Sequence, residues 1–344
     1  MRKTLFLWLA LALALAFPRA GAGETPPPPG GYRQAMRDFV ALIAATAREG
    51  RPGFIVIPQN GVALLTADGE PGGPPAREYL AVIDGCGQES LFYGDSTPDY
   101  QPTPTKITKE LCAFLDVAAT AGKTVLVIDY CRKPGYVDDS YAQGAAAGYR
   151  VFAADDRGLS RLPRYARPVR DAHAGDVPRL ADARNFLALL DPGKFKSKEA
   201  YLGALAATDY DLLIIDACYD GRFLDAADVA RLRVKANGGR RLVVSYFSIG
   251  EAEDYRDYWQ EGWKQRPPSW LDRENPDWKG NYKVRYWDPE WQALLVTGAG
   301  SPLRRIVAAG FDGAYLDLID ACEYFEELQE KAEKHGERHE MPQP

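Results

Sequence analysis

Three histidines in 344 residues, and five cysteines with no Cys-x-x-Cys spacing, leave little from which to build a zinc site. The one histidine pair at helical spacing, His335 and His339, has Gly336 between its members and sits in a charged tail. Cations are not in excess either. Forty-two Lys and Arg against 48 Asp and Glu give a net charge of −6, which argues against nucleic acid as a partner, because phosphate binding needs concentrated positive charge. No Gly-x-Gly-x-x-Gly follows the first apolar run, no Gly-x-x-x-x-Gly-Lys-Ser/Thr loop occurs, and no Gly-x-Ser-x-Gly elbow is found. Nucleotide binding and Ser-His-Asp hydrolysis therefore fall away, and neither a cofactor nor a metal is expected. The longest apolar run, Leu5 to Phe17, is 13 residues, short of the roughly 20 that a membrane span needs.

That run has a purpose of its own. Arg2 and Lys3 precede it and Ala20-Gly21-Ala22 follow it, the pattern of a secretory signal peptide over residues 1–22. The expectation is a secreted or periplasmic protein with no stable membrane insertion after cleavage. Loss of Arg2, Lys3 and Arg19 with no acidic residue would take the net charge from −6 to −9. An odd cysteine count leaves at least one thiol free or paired between chains. Cys86 and Cys131 could bridge if their strands are neighbours; otherwise they are small buried thiols.

With 46% apolar residues the rest of the chain is globular. A Pro- and Gly-rich spacer over 23–31 leads into one domain over 32–334, followed by a charged tail over 335–344. Eight short apolar runs alternate with helical stretches: 53–58, 79–84, 124–129, 149–154, 212–216, 242–246, 282–287 and 313–317. Continuous apolar strands alternating with helices predict an α/β fold with a parallel sheet covered on both faces. Eight such units predict a single-domain (β/α)8 TIM barrel, with an open doubly wound sheet as the alternative.

In such a barrel, chemistry sits at the C-terminal ends of the strands. Seven of the eight runs end at or near a carboxylate: Asp84 with Glu89, Asp129, Asp155 with Asp156, Asp216, Glu251, Asp288, and Asp317 with Asp320. Only the first ends differently, in Gln59-Asn60. One or two of these would be ordinary helix caps, but a whole edge of like charge has to be used for something. Paired carboxylates suit glycoside hydrolysis, whereas oxygen ligands would also suit a hard cation. Six of the seven tryptophans lie between Trp259 and Trp291, and flat rings beside carboxylates favour a carbohydrate groove. Tyr246, Trp287 and Trp291 join Asp84, Asp129, Asp216, Asp288 and Asp320 as candidate substrate contacts. Glu251, set after Gly250, is a strong candidate for catalysis.

Three segments carry a family likeness: Val244-Ser-Tyr-Phe-Ser-Ile-Gly-Glu-Ala-Glu-Asp-Tyr-Arg256, Gly280-Asn-Tyr-Lys-Val-Arg-Tyr-Trp-Asp288 and Ala309-Gly-Phe-Asp-Gly-Ala-Tyr-Leu-Asp-Leu-Ile-Asp320. Together they resemble extracellular glycoside hydrolases related to family 114, the endo-α-1,4-polygalactosaminidases. The resemblance implies a barrel with its strand order shifted, in which the Asp-x-x-Asp after Gly-Phe-Asp-Gly makes Asp317 a catalytic carboxyl. The family's catalytic Glu comes two strands later, in an Asn-Glu-x-Cys motif. Two strands on from the last strand of a closed barrel is the second, where Asp84-Gly-Cys-Gly-Gln-Glu89 makes Glu89 the partner, although it lies five residues beyond Asp84 rather than at the strand edge. The implied activity is cleavage of a galactosamine-type polysaccharide by this carboxyl pair. A non-catalytic carbohydrate-binding or cell-envelope protein, and a metal-dependent hydrolase using the same carboxylates, are the alternatives.

Overall fold

The computed structural model describes residues 27–94, 100–164 and 168–340, with side chains to residue 334. The expected signal peptide, the first four residues of the spacer and the last four residues of the expected tail lie outside these. Helix α1 (Gly31–Gly50) opens the fold and buries Met36, Phe39, Val40 and Ile43, the stripe that a 3.6-residue period dictates. At the other end the last helix (Ala321–Glu340) continues into the expected tail.

Eight parallel strands form the centre: β1 (Ile55–Pro58), β2 (Gly85–Glu89), β3 (Thr124–Tyr130), β4 (Arg150–Ala154), β5 (Phe186–Leu189), β6 (Leu212–Asp216), β7 (Leu242–Ser248) and β8 (Gly313–Asp317). They pair as a five-stranded sheet in the order β1-β8-β7-β6-β5 and a three-stranded sheet in the order β2-β3-β4. At the β1/β2 seam an isolated parallel bridge joins Gln59 to Gly87. The backbone there also bonds from Asp84 to Val56 and from Asn60 to Gly87, each at 2.9 Å. Among the described residues no ladder joins β4 to β5. The fold is thus a mixed α/β architecture with a parallel centre, and the expected ring is hydrogen-bonded as two arcs.

Eight strands were expected and eight are present, but two of the expected ones differ. Residues 77–82 are helix α2 (Arg77–Val82), and the strand begins only at Gly85. Glu89 is therefore the last residue of β2, at its C-terminal edge. Residues 281–284 belong to a separate three-stranded antiparallel sheet with 251–253 and 271–274, an excursion between β7 and β8. The strand missing from the sequence reading is β5, a four-residue apolar run at the end of an Arg- and Pro-rich stretch. Among its described residues that stretch has a 3-10 turn at Leu180–Asp182 in place of an α-helix, and it sits at the seam where no ladder forms.

All five cysteines are free thiols. Cys86 pairs in register with Val125 on β3, and Cys131 lies six residues further along that strand, about 20 Å away at roughly 3.3 Å per residue. A bridge between them is sterically impossible. Both are buried, and burial pushes the Cys86 thiol up to about 12.

Candidate active site

Side chains alternate along a strand, so residues two apart share a face. On the C-terminal half of the parallel strands one face carries Gln59, Gly87 and Glu89, Tyr130, Tyr246, and Tyr315 with Asp317. The Tyr315 hydroxyl donates to Gln59 Oε1. Gly87 makes room for this contact, because a Cβ there would lie 2.3 Å from both the Gln59 and the Tyr315 oxygens. Above that layer stand the two carboxyls. Tyr130 donates its hydroxyl to Glu89 Oε1, and Tyr246 donates to Asp317 Oδ2 at 2.9 Å. The Leu318 amide donates to Asp317 Oδ1 at 2.8 Å, and Asn60 Oδ1 accepts from the Glu89 amide at 3.0 Å.

Backbone strain collects at the same place. Asn60, Ser90 and Leu318, the residues at or just past the ends of β1, β2 and β8, have φ of 58°, 53° and 62°. Left-handed backbone at non-glycine residues is unfavourable and persists where the surroundings over-determine it, which is common at sites of function. Here it turns the chain directly beside Glu89 and Asp317.

The electrostatics follow from that geometry. Burial, then the charges of Glu89 and Asp320, push the Asp317 carboxyl up to about 7, against the Leu318 amide and the Tyr246 hydroxyl, which favour its charged form. Burial also raises Asp320, with Lys283 opposing and Glu251 reinforcing the shift. Glu251 is fully buried and accepts from Lys283 Nζ at 2.5 Å and from Asn275 Nδ2 at 2.8 Å. The charges of Glu89 and Asp320 thus act on Asp317, and those of Glu251 and Glu89 on Asp320, with Asp317 between Glu251 on the β7 side and Glu89 beyond β1.

The other expected site residues are placed elsewhere. Asp84 precedes β2 and lies at the opposite end of the strands, where it accepts from the Val56 amide at 2.8 Å and from Arg48 at 2.9 Å. Asp129 is fully buried and holds the chain after β2, accepting from the Phe92 and Tyr93 amides at 3.0 and 3.2 Å and from Ser140 at 2.6 Å. Asp216 is tied up by Arg256 in a two-pronged ion pair at 2.9 and 2.8 Å. Asp288 caps a short helix through the Glu290 amide. Trp291 is wholly buried and donates to the Ile249 carbonyl at 3.1 Å, and Trp287 packs edge-on against Phe325 at 4.7 Å.

The tryptophans form a ring-to-ring chain, Trp259–Trp263–Trp270–Trp291, with centroids 4.9 to 5.3 Å apart, and they are the core of the excursion rather than an open groove. Trp278 alone among them is broadly exposed, at 62%. Tyr130 and Lys283 escaped the sequence reading. Strand alternation could have found Tyr130: it neighbours a buried Asp, so it must face the other way. Lys283 had no local signal, since its partner Glu251 is 32 residues earlier. Among the described residues no group of His, Cys, Asp and Glu is arranged to hold a metal ion.

The fold and this edge define a parallel α/β protein with carboxyls gathered at neighbouring strand ends, two of them, Asp317 and Asp320, raised by burial and by nearby like charge. Residues 204–336 match the glycoside-hydrolase family GH114, and through that segment the chain is related to the family. The segment includes Glu251, Lys283, Asp317 and Asp320, and it stops short of Glu89. An uncharacterised protein of Deinococcus radiodurans is 43% identical over 120 residues, 35% of this chain and 36% of that protein. One from Methanocaldococcus jannaschii is 38% identical over 133 residues, 39% and 37% of the two chains. One from Thermotoga maritima is 37% identical over 121 residues, 35% and 36%. The matches thus span about a third of the length of these curated relatives. Burkholderia cenocepacia dihydropteroate synthase aligns over 82% of this chain and 93% of its own at 14% identity, but a TM-score of 0.32 carries no argument.

Proposed function

We propose that this protein is an exported glycoside hydrolase that cuts an α-linked amino-sugar polysaccharide of the galactosamine type, with Asp317 and Glu89 as its carboxyl pair. One observation carries this reading: two carboxyls at the ends of β8 and β2, each fixed by a tyrosine hydroxyl, close enough that the charge of Glu89 raises Asp317. A carboxyl that holds its proton beside a second carboxyl is what glycosidic cleavage needs. Asp317, raised to about 7, keeps its proton near neutral pH and donates it to the leaving oxygen. Glu89 then serves as nucleophile or base. The two arcs of strands are read as one (β/α)8 barrel, whose C-terminal edge is the usual place for such a pair. The excess of carboxylates suits a cationic polymer.

The test is release of reducing ends from partly deacetylated galactosamine polymer by the protein lacking residues 1–22, compared with Asp317→Asn and Glu89→Gln. Each variant is expected to lose at least about a hundredfold in kcat/KM, the lower range for a positioned acid or base. Undiminished cleavage in both would overturn the assignment. Loss of activity with a chelator would favour the metal-dependent reading, and binding without cleavage the non-catalytic one.

A further inference from the structure

The excursion between β7 and β8 has two faces, and strand alternation assigns them. Ala252 and Tyr282 lie opposite each other in register and turn toward the tryptophans, with the Tyr282 and Trp259 rings 4.8 Å apart. Glu251, Glu253 and Lys283 therefore turn the other way. Their face looks onto the carboxyl edge: Glu251 and Lys283 act on Asp320, and Glu253 acts on the Tyr246 hydroxyl that holds Asp317.

Tyr255 continues this face. Its hydroxyl donates to Glu253 Oε1 at 2.7 Å, and its own charge also bears on Tyr246. The Glu253 carboxyl is buried, and Arg256 holds it while gripping Asp216 at the end of β6. The same guanidinium lies over the Tyr255 ring, 5.2 Å from its centroid, and backs one side of it. The other side is open, and the residue is 56% exposed.

An exposed aromatic residue is ordinary by itself, but this one is held still. A side chain that only needed room on the surface would keep its rotamers and leave its hydroxyl in water. Here the polar tip is fixed to a buried carboxylate and the apolar body faces outward. A rigid ring with one open side offers contact area at little further entropy cost on binding. Pyranose rings present flat C–H faces of matching size, and the glycan that reaches Asp317 passes within electrostatic reach of this ring.

We propose that the Tyr255 ring is a stacking platform for a sugar unit beside the bond being cut, on the β7 side of Asp317, with Glu253 and Arg256 fixing its angle. It reads the bare face of a pyranose rather than its charge. The proposal rests on the glycosidase reading of the same edge, and Tyr255 contributes binding and no proton transfer.

Calorimetric titration of galactosamine tetramer into the Glu89→Gln protein, which prevents turnover, tests this. Adding Tyr255→Ala is expected to weaken binding by about tenfold or more, roughly 1.4 kcal/mol. Tyr255→Phe, which keeps the ring and loses the hydroxyl, should stay within about threefold. Tyr255→Leu, apolar but not flat, should lose as much as Tyr255→Ala and replaces it should that variant fail to fold by circular dichroism. Binding that ignores the loss of the ring, a Tyr255→Phe defect as large as that of Tyr255→Leu, or no tetramer binding at all would overturn the platform. If polymer cleavage depends on Asp317 but tetramer affinity ignores Tyr255, only the platform fails. If affinity follows the ring as expected and no glycan is cleaved, only the glycosidase reading fails.

Discussion

At the scale of single residues, a tyrosine holds each carboxyl of the pair. The Tyr246 hydroxyl favours the charged form of Asp317, so Tyr246→Phe should raise its proton affinity further. The expected result is a shift of the alkaline limb of the pH–rate profile upward by about half to one unit, the worth of one ordinary hydrogen bond. Tyr130→Phe removes the hydroxyl from Glu89 and should lower kcat/KM by about tenfold or more. The raised Asp317 also bears on stability. Its carboxyl goes from about 4 unfolded to about 7 folded, so in between the native state holds more protons and stability falls as pH rises. Asp317→Asn, with nothing to ionise, should therefore raise Tm by a few degrees at pH 7 to 8 and leave it nearly unchanged at pH 4. A thermal melt at the two pH values checks this. The carboxylates were visible in the sequence and their orientation was not: Asp129 and Tyr130 are consecutive, and it is the tyrosine that reaches the pair.

At the scale of elements, close approach decides what the site can be. Burying the apolar stretch 79–83 works as well in a helical turn, here packed against α1, as in a strand, and Asp84 marks the wrong end because it precedes β2. Nothing in a short run of Gly-Cys-Gly-Gln-Glu advertises a strand, since its two glycines have low β-propensity. Gly87 is required there because the Gln59–Tyr315 contact fills the space where a side chain would go. Gly87→Ala should cost about 1–3 kcal/mol in urea unfolding through overpacking and should displace Glu89. A fall in kcat larger than any change in KM would identify that displacement. The excursion was equally hidden. Its tryptophans resemble a sugar platform in sequence because aromatic residues serve packing and stacking alike, and only the ring-to-ring chain reveals that most of them hold one another.

Across the whole molecule, opposite ends of the parallel strands carry different burdens. The C-terminal edge gathers like charges and left-handed turns. At the N-terminal end ions are matched: Asp312 is shared by Arg51 and Arg233, and Asp84 pairs with Arg48. The deepest of these pairs joins Asp211 and Lys235, whose side chains are both fully buried and 2.9 Å apart. The Lys235 ammonium also donates to the carbonyls of His173 and Gly175 at 2.6 and 2.9 Å, and His173 itself sits 3.0 Å from Asp211. This ties the Arg- and Pro-rich stretch, which has no α-helix among its described residues, to the strands beneath it. The like charges of the C-terminal edge lie at the other end of these strands. Lys235→Met leaves the buried Asp211 carboxyl with His173 and the Arg184 amide as its hydrogen-bond partners, and breaking a buried pair in this way typically costs about 3–5 kcal/mol. The loss should appear in full as a lower urea midpoint, while KM and the pH–rate profile of the protein that remains folded stay where they were. Movement of the pH profile would mean that the two ends are electrostatically coupled, contrary to the division of labour that the strand ends display.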